Sequence, residues 1–202
     1  MTDHFAVLRQ PRRPWLDPDK LKEKYQKLAR SEHPDQTGRR TEAPPTFGVP
    51  TFGAATFGEI NEAYRVLSDP RLRLQHLLNL EGAPRQADAS PTSELTDLFS
   101  RTASVLADTD RVLEKLRAAN SALSRSLLHQ EMLAVRQRAD VLLAELEQCR
   151  RESIQELQNA DKLWEEKRGQ TIGILTELAN RFGYLDRWID QLRERQFQLE
   201  NS

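Results

Sequence analysis

The sequence is poor in the features on which secreted, membrane-spanning and nucleic-acid-binding proteins depend. Its 202 residues include one cysteine, Cys149, so the chain can form no internal disulfide framework. No apolar run approaches the roughly 20 residues of a membrane span, and the first residues lack the basic and apolar segments of a signal peptide. The net charge of −1 gives no general attraction to nucleic acid. We therefore expect a soluble cytoplasmic protein with neither a membrane nor nucleic acid as partner.

The residue types that build catalytic and metal sites are also sparse. The histidines are scattered, and none has a second histidine or a cysteine at the spacing of metal ligands. They are His4, His33, His76 and His129. The sequence has no glycine-rich phosphate-binding loop. We predict no resident metal, no cofactor and no enzymatic activity, and we expect Cys149 to be a small apolar core residue.

What the sequence does contain favours helices. Charged residues make up 30% of the chain and apolar residues 38%, with 8 glycines in total. This composition is typical of long, solvated helices rather than of a sheet protein. We therefore predict an all-α fold, and 202 residues are enough for one or two domains.

Residues 17–30 have the pattern of an amphipathic helix. Its apolar face consists of Leu21, Tyr25 and Leu28. An adjacent basic stripe consists of Lys20, Lys24 and Lys27. A residue before proline is pushed out of the helical conformation, so the helix should end near His33. His33, Pro34 and Asp35 should therefore lie in a loop at the end of a basic helix.

A second amphipathic helix is predicted over residues 57–67. Its apolar face consists of Phe57, Ile60, Tyr64 and Leu67. Ser68-Asp69-Pro70 ends this helix, and a long loop over residues 36–56 joins the two helices into an antiparallel hairpin. Thr-Phe-Gly recurs in the loop with a period of five residues. We interpret this repeat as a tandem duplication in a mobile loop rather than as an adhesive element.

The order and spacing of these elements are similar to those of a known domain. Residues 1–82, with the helix, the His-Pro-Asp tripeptide, the loop and the second helix, resemble the J-domain of DnaJ-type co-chaperones. After Pro70, a leucine-rich helix replaces the short polar helix of generic J-domains. This segment is similar to that of the HscB family, the J-proteins of iron–sulfur cluster assembly. The matching residues are Pro70, Arg73, Leu77, Leu78, Leu80 and Gly82. The opening Asp3-His4-Phe5 is also similar to the start of that family.

Beyond the J-domain-like segment, the chain reads as a linker and a helical bundle. Residues 83–93 are small and polar, which predicts an interdomain linker. Residues 94–202 carry apolar seams with alternating spacings of three and four residues. The seams run over residues 95–119, 128–149 and 174–192. Three such helices, joined by short turns, predict an antiparallel three-helix bundle.

The turns of the bundle are placed by changes in the phase of the seams. They are predicted near residues 120–126 and at Asn159-Ala160-Asp161. An open coiled coil that dimerises through the same seams is the alternative architecture. The HscB family also has a three-helix C-terminal domain, and the first two bundle helices here look longer than its usual ones by about ten residues, or ~15 Å, each.

The resemblance implies that the N-terminal domain binds a chaperone ATPase of the DnaK or HscA type and accelerates its ATP hydrolysis. The implied contact residues are His33, Pro34, Asp35, Lys20, Lys24, Tyr25 and Lys27. The basic helix would steer association with an acidic groove of the chaperone. Asp35 would offer a carboxylate able to perturb charge networks in the partner.

The resemblance also implies that the bundle binds an IscU-type scaffold protein as its client. The implied client-contacting residues are Leu95, Asp97, Phe99 and Tyr184. We favour a core position for Leu95, whereas Phe99 suits an exposed contact and the core equally. Thr96 replaces the family's methionine, so a J-domain co-chaperone with a different client, or with a self-associating C-terminal domain, is the alternative function.

Overall fold

The computed structural model describes residues 2–31, 56–83 and 93–201. Within these residues the chain forms seven helices and no strand, which confirms the all-α prediction. The helices are α1 (His4–Val7), α2 (Pro18–Ser31), α3 (Phe57–Ser68), α4 (Pro70–Leu80), α5 (Ser93–Ala118), α6 (Ala122–Trp164) and α7 (Arg168–Glu200). The loop predicted over 36–56 lies almost entirely outside the described residues, as does most of the linker predicted over 83–93.

The chain divides into two compact units. The first contains Met1–Arg85 and Leu157–Ala179, and the second contains Gln86–Glu156 and Asn180–Ser202. The first unit therefore includes the end of α6 and the start of α7 in addition to α1–α4. The predicted division into residues 1–82, a linker and a bundle over 94–202 stays a prediction.

Helices α2 and α3 pack through the apolar faces that the sequence predicts. Leu21 of α2 and Ile60 of α3 are buried, whereas Phe57 at the start of α3 is 36% exposed. The ring of Tyr25 stacks on the ring of Tyr64 with centroids 4.2 Å apart. The Tyr25 hydroxyl donates a hydrogen bond to Oδ1 of Asn61 at 2.9 Å. Apolar burial and this tyrosine contact together fix α2 against α3.

A buried arginine joins three segments of the first unit. Arg73 of α4 is 3% exposed, and its Nε donates to the Pro14 carbonyl at 2.9 Å. Its Nη1 donates to the Leu67 carbonyl at the end of α3, at 2.6 Å. The guanidinium carbon lies 5.8 Å from the centre of the Trp15 ring. Burial lowers the pKa of Arg73 to about 10, so the side chain is still charged at neutral pH. This contact explains why an arginine suits this position of the predicted motif.

The end of α6 holds the connection between α1 and α2. The carboxylate of Asp161 accepts a hydrogen bond from Nη2 of Arg13 at 2.9 Å and from the backbone N–H of Trp15 at 3.1 Å. Trp164 is fully buried, and its indole N–H donates to the Arg12 carbonyl at 3.0 Å. The proline-rich connection therefore rests on side chains nearly 150 positions later in the sequence.

The second predicted turn of the bundle is wrong. Asn159-Ala160-Asp161 is helical, because α6 continues to Trp164 and the chain turns only at residues 165–167. Asp161 binds the N-terminal connection, which explains a polar residue inside the helix. In the sequence alone, this polar residue indicates a turn. The first turn lies at residues 119–121, at the edge of the predicted region.

The second unit has the apolar seams that the sequence predicts. Its main core lies at one end of α5, the middle of α6 and the middle of α7. It contains Leu95, Leu98, Val105, Ala139, Leu142, Leu146, Leu185, Trp188, Ile189 and Leu192. Thr102 and Thr109, which are polar members of the first seam, are buried as predicted.

The prediction is wrong for one member of the third seam. Ile174 is 38% exposed, whereas Leu175 is fully buried. Steps of three and of four residues back from Leu178 both reach an apolar side chain, and the helix uses the step of three.

A buried histidine makes the first unit sensitive to acid. The Nε2 atom of His76 accepts a hydrogen bond from the His4 backbone N–H at 3.1 Å, and the His76 side chain is 4% exposed. Burial, with a smaller contribution from His4, lowers the pKa of His76 below its usual 6.5. The native state therefore binds fewer protons at this site than the unfolded state, and it loses stability as the pH falls.

We expect the free energy of unfolding to decrease as the pH falls through about 6.5 toward the lowered pKa of His76. Urea unfolding at pH 7.5 and pH 5.5 measures the decrease. His76→Gln, whose amide oxygen can still accept the bond, should lose the part of the pH dependence that His76 contributes. The control His129→Gln changes an exposed histidine of α6 and should behave as the wild type. Equal pH dependence in His76→Gln and the wild type would contradict this assignment.

The position of Arg73 predicts a large loss of stability on truncation. Arg73→Met should lower the free energy of unfolding by ~3 kcal/mol, because two buried carbonyls lose their donor at about 1–3 kcal/mol each. The matched control is Arg71→Met, a more exposed arginine of the same helix, which should cost under about 0.5 kcal/mol. Denaturant titration measures the free energy of unfolding of both variants. Equal losses would show that the contacts of Arg73 contribute no special stability.

Candidate functional site

The basic stripe of α2 lies on the side of the helix opposite to its packed apolar face. The Asp17 carboxylate caps the helix by accepting hydrogen bonds from the Asp19 and Lys20 backbone N–H groups at 3.0 and 3.1 Å. Lys20 and Lys27 are exposed, and Lys24 is half-buried. The apolar face of the helix is used against α3, which leaves the lysines for a partner.

One of these lysines has an ion pair within the helix. The Lys27 ammonium lies 2.6 Å from Oε1 of Glu23, one helical turn earlier. The hydrogen bond and the charge of Lys27 hold the pKa of Glu23 below its usual value. Both side chains are well exposed, so the pair is weak and Lys27 remains available to an acidic partner.

Tyr25 lies between α2 and α3 rather than among the lysines. Its stacking on Tyr64 and its hydrogen bond to Asn61 give it a positioning role for the basic stripe. A direct contact between Tyr25 and a chaperone stays a prediction.

The tripeptide of His33, Pro34 and Asp35 lies outside the described residues. The described part of α2 reaches Ser31, two residues before His33, so the predicted end of the helix near His33 stays a prediction. The hydroxyl of Ser31 donates to the Leu28 carbonyl at 2.8 Å within this last turn.

The second unit carries a partly exposed aromatic patch, which consists of Phe99, Tyr184 and Trp188. Phe99 of α5 is 56% exposed and its ring lies 6.0 Å from that of Trp188 on α7. Tyr184, one turn before Trp188, stacks on the same indole with ring centroids 5.8 Å apart. The structure therefore brings together two of the predicted client-contacting residues, and it places Phe99 on the surface rather than in the core.

Trp188 is the residue of this patch that sequence reasoning missed. It is 5% exposed and belongs to the main core of the second unit. Its position four residues after Tyr184 and one before Ile189 places it beside the third seam, and this spacing could have identified it. Because its indole is fixed in the core, the patch has a rigid base.

The other two predicted client-contacting residues lie elsewhere. Leu95 is 8% exposed and belongs to the core, so it supports the surface from beneath. Asp97 is exposed but lines a groove between α5 and α6, where its carboxylate lies 3.7 Å from Arg101. Phe99 instead faces α7. The candidate client surface is therefore the aromatic patch, without Asp97.

Within the part of each unit that the structure describes, we find no cluster of metal ligands. Among residues 2–31, 56–83 and 93–201, no group of three or more His, Cys, Asp or Glu side chains is arranged to hold a metal ion. The helices of the same residues include none with an apolar stretch sufficient for a membrane span. A partly exposed aromatic patch and a basic helix face are surfaces suited to protein partners.

Comparison with known proteins supports the same interpretation. The model of the DnaJ domain family matches residues 3–76. The co-chaperone protein HscB of Proteus mirabilis (strain HI4320) is 29% identical over 80 residues, which are 40% of this chain and 43% of that protein. The matched segment therefore spans less than half the length of this curated relative.

The solved structure of the chaperone HscB from Vibrio cholerae extends the likeness in fold to nearly the whole chain. The two structures share a TM-score of 0.52 at 17% sequence identity, over 98% of this chain and 99% of that one. The DnaJ domain match, the curated relative and the shared all-α fold confirm the resemblance stated from the sequence. Residues 3–76 therefore match the DnaJ domain, and the chain is similar to HscB co-chaperones in sequence over 80 residues and in fold over nearly its whole length.

Proposed function

We propose that this protein is a cytoplasmic co-chaperone that stimulates the ATPase of a DnaK- or HscA-type chaperone and delivers an IscU-type scaffold protein to it. The DnaJ domain match over residues 3–76 is the observation that carries this proposal, together with the HscB relative. These comparisons support the broader role of a co-chaperone and not an enzyme in itself. The identity of the chaperone and of the client is the proposed part.

The basic stripe of α2 would act mainly on the rate of association. Its lysines are held on one side of a helix that α3 fixes through Tyr25 and Leu21. Exposed charges of this kind steer an acidic partner and are screened by salt, and each contributes little on its own. We therefore expect binding to weaken gradually, rather than to disappear, when single lysines are changed.

The tripeptide after α2 would carry the stimulation itself. Pro34 has a backbone restricted by its ring, and Asp35 next to it would bring a carboxylate close to the basic surface of α2. This arrangement would deliver one negative charge to a defined place on the chaperone. Loss of that charge should affect ATP hydrolysis far more than it affects folding.

The aromatic patch would bind the client. Buried and half-exposed aromatic side chains at the centre of a contact contribute a large share of the binding free energy. Phe99 offers exposed apolar surface, and Trp188 beneath it keeps that surface in place. In the HscB family the client is an IscU-type scaffold, and the family's aromatic is matched by Tyr184.

One observation favours a different client. Asp97 faces the groove on the α6 side of α5, whereas Phe99 faces α7, so the acidic and aromatic contacts are separated. Thr96 also stands where the family has methionine. The alternative function is therefore a J-domain co-chaperone whose bundle binds another protein.

We expect Asp35→Asn to abolish the stimulation of ATP hydrolysis without unfolding the protein. The substitution removes the negative charge of the His-Pro-Asp tripeptide and nearly preserves the shape of the side chain. Steady-state ATP hydrolysis by the host's DnaK- or HscA-type chaperone measures the effect, and the thermal midpoint checks the fold. The control Asp19→Asn alters an exposed carboxylate of the first turn of α2 and should retain most of the stimulation. Normal stimulation by Asp35→Asn would overturn the proposed mechanism.

We expect Phe99→Ser to weaken binding of the IscU-type scaffold at least tenfold, which corresponds to about 1.4 kcal/mol. Stimulation by this variant without the scaffold should be unchanged, because the DnaJ domain is intact. The matched control is Phe197→Ser. It removes a phenylalanine that is 62% exposed and lies near the C-terminal end of α7. Calorimetric titration with the scaffold measures both variants. If the scaffold adds nothing to the stimulation by the wild type, the client is another protein.

A further inference from the structure

Asp161 is a buried carboxylate to which the proposed function gives no role. It is 8% exposed and lies near the end of α6, within the first unit. Its Oδ1 accepts a hydrogen bond from the backbone N–H of Trp15 at 3.1 Å, and its Oδ2 accepts one from Nη2 of Arg13 at 2.9 Å. A buried carboxylate is costly unless it is hydrogen-bonded, and both of these partners lie in the connection between α1 and α2. The role of Asp161 is therefore to be found in that connection.

Asp161 is one of three side chains that hold the connection. The Arg12 carbonyl accepts a hydrogen bond from the indole N–H of Trp164 at 3.0 Å. The Pro14 carbonyl accepts one from Nε of Arg73 at 2.9 Å. Together with the two contacts of Asp161, these bonds give four consecutive residues of the connection a polar contact to α4 or to the end of α6. The path of the backbone is therefore fixed immediately before α2.

Helix α2 begins directly after this fixed segment. Only Leu16, which is buried, and Asp17 separate Trp15 from the first residue of the helix. The Asp17 carboxylate caps α2, and one of the backbone N–H groups that it binds is that of Lys20. The bond from Trp15 to Asp161 therefore acts two residues before the helix that carries the basic stripe.

Helix α2 needs such an anchor because little of it is buried. Within the described helix Pro18–Ser31, the one buried side chain is Leu21. Tyr25, one turn later, is half-buried and is held on α3 by its ring contact and its hydrogen bond. Contacts concentrated in one turn fix the distance between α2 and α3 more firmly than the tilt of α2. The helix is ~21 Å long, so a tilt of about 10° at its start moves its far end by ~4 Å.

We propose that Asp161 is a positioning residue for the binding of the chaperone ATPase. Asp161 holds the backbone of Trp15, so it sets the tilt of α2 and the direction in which the basic stripe faces. The inference rests on the proposed function, in which the stripe steers the chaperone. All three lysines of the stripe move together when α2 tilts, so loss of this anchor affects association more than loss of one lysine does. A residue 146 positions later in the sequence thus controls the orientation of the basic helix.

The bond to the backbone, and not the ion pair with Arg13, carries this role. The Arg13 side chain is 36% exposed and also lies 3.5 Å from the exposed Glu165, so its ion pair with Asp161 is partly screened. The bond to the Trp15 N–H constrains the main chain itself. Asp161→Asn keeps an oxygen that can accept this bond, whereas Asp161→Leu has a similar size and no acceptor.

Steady-state ATP hydrolysis by the host's DnaK- or HscA-type chaperone, measured against the concentration of the full chain, tests the proposal. We expect Asp161→Leu to raise the concentration for half-maximal stimulation about threefold or more, with the maximal stimulation nearly unchanged. Asp161→Asn should stay close to the wild type, and so should Arg13→Met, which removes only the ion pair. Stimulation that Asp161→Leu leaves unchanged overturns this inference alone. A wild type that does not stimulate the chaperone overturns the proposed function as well.

Leu77→Ala separates positioning from general stability. Leu77 is a fully buried leucine of α4 that takes part in none of the polar contacts of the connection, and its truncation destabilises the first unit. We expect Leu77→Ala to lower the thermal midpoint at least as much as Asp161→Leu and to keep the wild-type concentration for half-maximal stimulation. Both variants are assayed at a temperature at which circular dichroism shows them folded. An equal shift in both variants means that Asp161 acts through stability alone, and it overturns the positioning role.

Amide hydrogen exchange tests the structural step without a chaperone. In Asp161→Leu, peptides from the connection and from α2 should exchange faster than in the wild type, and in Asp161→Asn they should exchange at wild-type rates. Peptides from α3 should be unchanged in both variants, because Ile60 and Leu67 keep their burial in its core-facing side. Faster exchange that extends equally over α3 indicates a loss of stability of the whole unit and overturns the proposal.

Discussion

The first unit depends on one buried positive charge. Arg73 donates to the carbonyls of Pro14 and Leu67, and so it ties the N-terminal connection to the corner between α3 and α4. A guanidinium can do this because it presents several donors in a fixed plane, and it stays charged even though burial lowers its pKa to about 10. The corner in turn determines the position of α3. Since α2 packs on α3, the position of α3 determines which side of α2 is exposed to solvent.

The same connection also joins the first residues of the chain to the end of α6. Asp161 and Trp164 bind residues 12–15 through backbone groups, so the contact is specified by the path of the backbone as well as by side chains. The basic helix α2 and the tip of the α6–α7 hairpin thereby belong to one compact unit. Local sequence patterns build the helices, whereas a few polar contacts over long sequence separations decide which helices share a core.

This division explains what the sequence could and could not predict. Helix positions followed from apolar spacing, and even the polar seam residues Thr102 and Thr109 were placed correctly, because burial of one face is a local pattern. The turn at Asp161 was misplaced, since its partner Arg13 lies 148 residues away and leaves no local signal. The aromatic patch was found only in part, because Trp188 belongs both to the core and to the base of a surface.

The contact between the hairpin tip and the N-terminal connection also affects the order of folding. A ribosome releases residues 1–85 first, but the first unit also contains Leu157–Ala179. The residues that contact Trp164 are therefore synthesised long before Trp164 itself. Since domains usually fold as they emerge, the N-terminal helices of this protein must wait for a later segment before their core is complete. The core of the first unit is thus completed by residues that are translated after most of the second unit.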